Sequence, residues 1–177
     1  MLKKVIPFSH YLLEQSIVNG EIVVDATAGN GHDTLFLANL VGSSGHVFSF
    51  DIQDAALQNT KALLEKHKKS NVTCILDSHS EMTKYIDQPI GGAIFNLGYL
   101  PGSDHSITTK AETTIKAIES LLSLLKIHKL IVLVVYHGHA GGKEEKDELL
   151  AFLQSLDQKK YQVLQYSFIN QKNHPPF

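Results

Sequence analysis

Two glycines one residue apart, Gly29 and Gly31, stand between two acids, Asp25 and Asp33, in VVDATAGNGHDT at residues 23–34. The apolar run before them and the helical pattern after them make this a strand, a tight turn and a helix start. There the backbone can approach a ligand closely, and the first turn of the helix offers unpaired N–H groups. In a dinucleotide site the helix start holds a pyrophosphate, and the third glycine of the fingerprint would fall at position 34, where this chain has Thr34. Carboxylates at Asp25 and Asp33 would repel a pyrophosphate and favour a cation. The chemistry that fits is a nucleoside ligand without phosphate that carries an ammonium or sulfonium charge.

Asp51 closes FSFD, twenty residues beyond Gly31, where a strand-end acid accepts hydrogen bonds from the two ribose hydroxyls. Asp77, in LDSHS with Ser78 and His79 beside it, can receive an adenine amino group or cap a helix. These residues suit S-adenosylmethionine better than NAD, and Thr34 and Asp33 count against NAD.

The elements that must position them alternate along the chain. SHYLLEQSIV reads as a helix ending at Gly20, EIVVDA as a buried strand, and NGHDTLFLANLV as a helix closed by Gly42. HVFSFDI is a second strand, and Asp54 is the expected cap of the helix AALQNTKALLEKHKK. VTCILD, GGAIFNL and KLIVLVVYH are further strands, with the long helix TTKAETTIKAIESLLSLLK before the last of them. KEEKDELLAFLQSL and YQVLQYSFI follow as helix and sixth strand. Strands separated by helices imply a mostly parallel, doubly wound α/β sheet with helices on both faces, and a ligand beyond the carboxyl ends of its strands. Asp25, Asp51, Asp77, Asn96 and Tyr136 each fall at such an end, and together form one rim.

A chain of 177 residues with one hydrophobic core is expected to be a single domain, 1–177. The one cysteine, Cys74, in the apolar run VTCIL, points to a reducing compartment and excludes a disulfide framework. The longest apolar run, LIVLVV, is too short for a membrane span, and a cytoplasmic location is expected. The 16 basic residues are all lysine and the net charge is −2, so a nucleic-acid partner would need a local patch.

DATAGNGHDTLFLA, FDIQ, DSHS, FNLGYLPG and YHGHAGG together resemble the bacterial family of tRNA (5-aminomethyl-2-thiouridine) methyltransferases that act on the wobble position, earlier labelled rRNA methylases. The resemblance covers essentially the whole chain. It implies a Rossmann-like class I fold with S-adenosylmethionine as methyl donor. Cofactor-binding residues would be Asp25, Ala26, Gly29, Asn30, Gly31, Asp33, Asp51, Gln53, Ser78 and His79. It also implies a tRNA substrate, bound through the anticodon loop, whose uridine 34 carries a primary amine that becomes methylaminomethyl. Class I enzymes end in an antiparallel pair of strands; this chain stops at NQKNHPPF where the seventh would begin, so that strand is expected to be missing and an edge left open.

FNLGYLPG has the order of the Asn-Pro-Pro-Tyr-like loops of amine methyltransferases, with Asn96 in the Asn position, Leu97 and Gly98 replacing the prolines, and Tyr99 in the aromatic position. In those loops the Asn oxygen accepts the amine N–H groups; the plain alternative is a turn. In YHGHAGG, His137 and His139 are two apart without a cysteine or acid nearby, so no metal site is expected, and contact with substrate is. Tyr136 and Tyr99 are placed to stack on a splayed base. Asn96, Tyr99 and His137 are thus the catalytic candidates, with Leu97, Gly98, Tyr136 and His139 binding substrate. His137, Asp33 or a water would take a proton. Of the remaining histidines, His32 sits inside the glycine loop and is placed to orient it, and the others, His10 among them, read as bland. Lys3, Lys4, Lys66, Lys68, Lys69 and Lys143 are candidates for tRNA contact, and a homodimer would widen that surface. Methylation of another RNA position, or of a small-molecule amine, stays open beside the wobble reading, as does a silent binder.

Overall fold

The computed structural model describes residues 1–98, 109–138, 142–172 and 175–177. Among these residues five strands, β1 (Ile22–Asp25), β2 (His46–Asp51), β3 (Val72–Leu76), β4 (Ile90–Leu97) and β5 (Leu125–Val135), form a parallel sheet in the order β3-β2-β1-β4-β5. The helices are α1 (Val5–Ser16), α2 (His32–Val41), α3 (Asp54–Lys66), α4 (Ala111–Leu124) and α5 (Gly142–Ser155), with a 3₁₀ segment at His79–Lys84. This is the Rossmann-like sheet that the strand and helix alternation predicts. The strand order reverses at β1, between β2 and β4, where such sheets place their ligands.

The alternating side chains of the strands divide the core in two. Val23, Val47 and Ile94 face Leu13 and Ile17 at α1 and Leu37, Ala38 and Val41 of α2. Their neighbours Val24, Ala93 and Phe95 face Ala117, Ile118 and Leu121 of α4, Leu149 of α5 and Met82. The period of two thus serves both faces, and accounts for the nearly unbroken apolar run of β4.

A charged clamp fixes α1 at the end of the sheet away from the rim. Glu21, 6% exposed, accepts hydrogen bonds from Lys129 (2.8 Å), Lys126 (3.2 Å) and the Val18 amide (2.9 Å). Lys129 also donates to the Ser16 carbonyl at 2.5 Å, joining the last turn of α1 to β5. Burial alone would raise the Glu21 carboxyl, but Lys129, Val18 and Lys126 outweigh it and hold it below the usual range. Gly91 makes room, because a Cβ there would lie 2.3 Å from the Glu21 carboxylate. With its C-terminus held here, α1 directs its N-terminal half toward the strand ends.

Two expectations are corrected. Residues 161–169 do not form a sixth strand. The outer edge of β5 is met at Val135 by Phe177, whose amide and carbonyl both bond to it (3.4 and 2.9 Å). Tyr166 is drawn instead to α1, its ring 4.1 Å from Phe8 and its hydroxyl donated to the Lys3 carbonyl at 2.7 Å. Asp54 does not cap α3 either. The Gln53 amide donates to Asp51 at 2.9 Å, which turns the chain one residue earlier and leaves Asp54 in the first turn, where its charge still favours the helix dipole.

Candidate active site at the carboxyl ends of the strands

The chain leaving β1 is held from both sides of the switch point. The Ala26 amide donates to the Ile94 carbonyl of β4 (2.9 Å) and the Ala28 amide to the Phe50 carbonyl of β2 (2.8 Å). Gly29 and Gly31 then take left-handed φ of 53° and 82°. At Gly31 glycine is also needed for space, since a Cβ would come 2.8 Å from the Thr60 Cα. Asp51 braces the turn: one oxygen accepts the Gly29 amide and the other the Gln53 amide, both at 2.9 Å. Asn30 accepts from Asn59 of α3 at 3.1 Å.

Asp25 is fully buried. Its carboxyl accepts from the Thr34 hydroxyl at 2.5 Å and the Thr27 amide at 3.1 Å, and Thr34 continues to the Ser49 hydroxyl at 2.8 Å. Burial first, and then the charge of Asp33, push the Asp25 carboxyl up to about 7 against those hydrogen bonds.

Asp33, at the start of α2, joins two elements distant in sequence. One oxygen lies 2.6 Å from His10 Nε2 on α1, and the other accepts from the Asn96 side-chain amide of β4. A carboxylate accepts and does not donate, so it turns the Asn96 nitrogen toward itself and leaves Asn96 Oδ1 facing away; that oxygen is buried and has no hydrogen-bond partner among the described residues. The Asn96 backbone amide donates to Thr27 Oγ1 at 2.7 Å, fixing the residue from the other side. Tyr136 follows β5, with its amide on the Leu97 carbonyl at 3.0 Å, and burial and the charge of Asp33 raise its phenol. On the opposite flank His79, 9% exposed, has Nδ1 3.0 Å from the Ala26 carbonyl, so Nδ1 carries the proton and buried Nε2 is an acceptor without a partner among the described residues. Burial holds this imidazole below its usual range.

The family model described as Putative rRNA methylase matches residues 47–177. The chain belongs to that family. It is 36% identical over 184 residues to the chloroplastic tRNA (mnm(5)s(2)U34)-methyltransferase of Arabidopsis thaliana, an alignment covering 98% of this chain and 67% of that protein. A putative rRNA-methylase from Clostridium thermocellum superposes with a TM-score of 0.98 at 48% identity, covering 99% of this chain and 95% of that one. A putative methyltransferase from Streptococcus mutans, solved in complex with SAH, superposes with a TM-score of 0.93 at 42% identity, covering 100% and 96%. The sheet is therefore the Rossmann-like fold of methyltransferases, and this methylase is an enzyme of that class.

Among the residues singled out from the sequence of the methylase, the structure gathers Asp25, Ala26, Gly29, Asn30, Gly31, Asp33, Asp51, Gln53 and Asn96 around the switch point. Ser78 and His79 border them through the Ala26 carbonyl, with the Ser78 amide tied to Asp77 at 2.7 Å. Leu97 has a fully buried side chain in the core, and half-buried Gly98, whose carbonyl accepts the Thr109 amide at 3.0 Å, follows directly after β4. His137 is turned elsewhere: its ring is 5.8 Å from that of Phe177, and it lines a cavity of about 220 Å³ with Lys146, Leu150 and Phe168. Tyr99 and His139 lie outside the described residues. Missed from the sequence were Thr27, Thr34 and Ser49, which orient the acids, and His10. No local pattern could flag His10, because its partner is 23 residues away.

Proposed function

We propose that the protein is an S-adenosylmethionine-dependent N-methyltransferase that converts the 5-aminomethyl group of wobble uridine 34 in tRNA to 5-methylaminomethyl. The methyl donor is S-adenosylmethionine, and the residues present suit it. Three carboxyl groups, Asp25, Asp33 and Asp51, surround a glycine turn that would otherwise favour phosphate, and no lysine is paired with any of them among the described residues. Asp51 retains lone pairs for ribose hydroxyls, and His79 Nε2 is a buried acceptor that meets no donor among the described residues. When bound, the donor supplies a methyl group activated by a sulfonium charge.

The observation that carries the reading is the buried Asn96 Oδ1, which has no partner among the described residues. An alkyl amine of pKa ~10 arrives protonated and must be held as the free base. Asn96 Oδ1 accepts an N–H of that amine, while Asp33, gripping the other end of the same amide, keeps the oxygen from rotating away. Fixing the amine in line with the methyl accounts for most of the acceleration, since effective molarities contribute several kcal/mol, about 7–11 at best. No covalent enzyme intermediate is needed.

The wobble substrate is supported by the 36% identity to the Arabidopsis enzyme, while the family description supports an RNA substrate more broadly. Nucleoside mass spectrometry of tRNA from cells with and without the gene tests it. Loss of 5-methylaminomethyl with accumulation of 5-aminomethyl uridine is expected. Unchanged tRNA with a missing methyl in rRNA, or in a small amine, would reassign the substrate. Asn96→Ala should leave S-adenosylmethionine affinity within about twofold while lowering turnover by a factor on the order of 10².

A further inference from the structure

We infer that Glu145, with Thr109 beside it, reads the base of the substrate: the Glu145 carboxylate accepts the N3–H of a splayed uracil, the Thr109 hydroxyl donates to its O4, and Glu145 thereby selects uridine over cytidine. The inference rests on the wobble-uridine N-methyltransferase reading above and adds to it how that base is told from its nearest competitor.

Glu145 lies in the first turn of α5, where an acid can serve the helix dipole from an exposed position, as neighbouring Glu144 does. Glu145 is instead 6% exposed. Burial raises its carboxyl, the Thr109 hydroxyl stands near enough to lower it, and the charge of Glu148 raises it again. Yet Glu145 Oε1 and Thr109 Oγ1, both buried, close no hydrogen bond among the described residues. A buried carboxylate oxygen without a donor is costly, so this pair is built for a partner that arrives with one. The pair also stands at the rim, because the Thr109 amide donates to the Gly98 carbonyl at 3.0 Å, two residues beyond Asn96. Strand alternation turns Asn96 toward Asp33 of α2 and Leu97 toward α4 and α5, the elements that carry Thr109 and Glu145. A flat ring laid across the end of β4 at Gly98, which projects no side chain, meets both sets.

The order of groups on the protein matches the order on the ring. Around a 5-aminomethyl uracil they run from the amine on C5 to the oxygen on C4 and the hydrogen on N3. Across the end of β4 they run from Asn96 Oδ1 to Thr109 Oγ1 and Glu145 Oε1. Asn96 accepts from the amine, Thr109 donates to O4 and Glu145 accepts from N3, which is how a base out of its stack is read on its Watson–Crick edge. Cytosine has the same outline with an amino group on C4 and a lone pair on N3. The Thr109 hydroxyl can turn to accept from that amino group. The carboxylate cannot adapt, since it would face the N3 lone pair with no hydrogen between them. Discrimination therefore falls on Glu145, as a buried acceptor set against another acceptor is what rejects a ligand of the right shape.

The test uses the full chain and an anticodon stem-loop with 5-aminomethyl uridine at the wobble position. Two further stem-loops differ only in that ring: 5-aminomethyl cytidine, and the 3-deaza uridine analogue in which C–H replaces N3–H. Wild type should lose a factor on the order of 10² in kcat/KM on each of the two. Glu145→Gln presents an amide that can donate to N3 of cytosine. Its kcat/KM should fall about tenfold on the uridine stem-loop and rise about tenfold on the cytidine one, so that the preference collapses. Its Kd for S-adenosylmethionine should stay within about twofold, which marks the variant as folded, since Glu145 is not among the cofactor residues. Should the variant not fold, the wild-type series decides alone. Equal wild-type rates on the three stem-loops, or a Glu145→Gln loss of the same factor on uridine and cytidine, overturns the inference. If wild type binds S-adenosylmethionine yet methylates none of the three, the amine reading itself falls and this inference with it. If it methylates all three alike, only the inference falls.

Discussion

Asp25 concentrates the electrostatic tension of the site in one side chain. Its carboxyl, ordinarily at 3.8, is pushed to about 7 by burial and by Asp33. Because the folded pKa lies above the unfolded one, the folded chain holds an extra proton between those values. The stabilisation from this proton is complete below about pH 4 and is lost as pH rises through about 7. Asp25→Asn keeps an acceptor for the Thr27 amide and carries no titrating proton. The melting temperature of wild type should therefore fall relative to Asp25→Asn between pH 5 and 8, and a difference that stays constant with pH would contradict the assignment. The same coupling bears on the ligand. A sulfonium cation beside these acids lowers the Asp25 pKa, so S-adenosylmethionine should bind more tightly at pH 8 than at pH 6 by a larger factor than its product S-adenosylhomocysteine, which lacks the sulfonium charge. Calorimetry in buffers of different ionisation enthalpy would register the released proton.

At the scale of elements, the clamp on Glu21 decides whether α1 delivers His10 to the rim. Lys129→Ala would leave a carboxylate that is 6% exposed with only the more exposed Lys126 as a cation, and breaking such a pair from one side costs about 3–5 kcal/mol. Glu21→Gln with Lys129→Met should cost visibly less in denaturant unfolding, because no charge is stranded; equal losses for the two variants would show that the ion pair is not what holds the helix. The strands themselves were legible because β1, β2 and β4 satisfy two cores at once and so read as apolar runs that end in acids or amides. Those endings also located the rim. Tyr161–Ile169 misled for the opposite reason: alternation signals a strand only when an edge is available, and Val135 bonds to Phe177 while Tyr166 packs on Phe8. Asn96 was legible from its loop, but the Asp33 contact that orients its amide, and His10 behind it, depend on a helix docking from the far end of the sheet. No spacing within the sequence encodes that.

For the whole molecule, the question is which surface meets a polyanion when the net charge is −2 and every basic residue is lysine. The topology divides the candidate lysines by end. α3 starts at the rim after β2 and runs back to the start of β3, so Lys66, Lys68 and Lys69 lie at the end of the sheet opposite the site. α1 is clamped at its C-terminus to that opposite end, which places exposed Lys3 and Lys4 beside the rim, and Lys143 opens α5 on the same side. An RNA that inserts a base between Asn96 and Tyr136 can rest its backbone on Lys3, Lys4 and Lys143, but cannot reach the others without passing around the sheet. The triple replacement Lys3→Ala, Lys4→Ala, Lys143→Ala should weaken tRNA binding and reduce the slope of log affinity against log salt by about 2–3, roughly 0.7–0.9 for each phosphate left without its lysine. S-adenosylmethionine affinity should not change. Replacing Lys66, Lys68 and Lys69 together removes the same formal charge, so it controls for the long-range field, and should leave the salt slope within about 0.5 of wild type. A salt slope that responds to the second set and not to the first would reverse the docking face, and would require the RNA to approach from the amino ends of the strands.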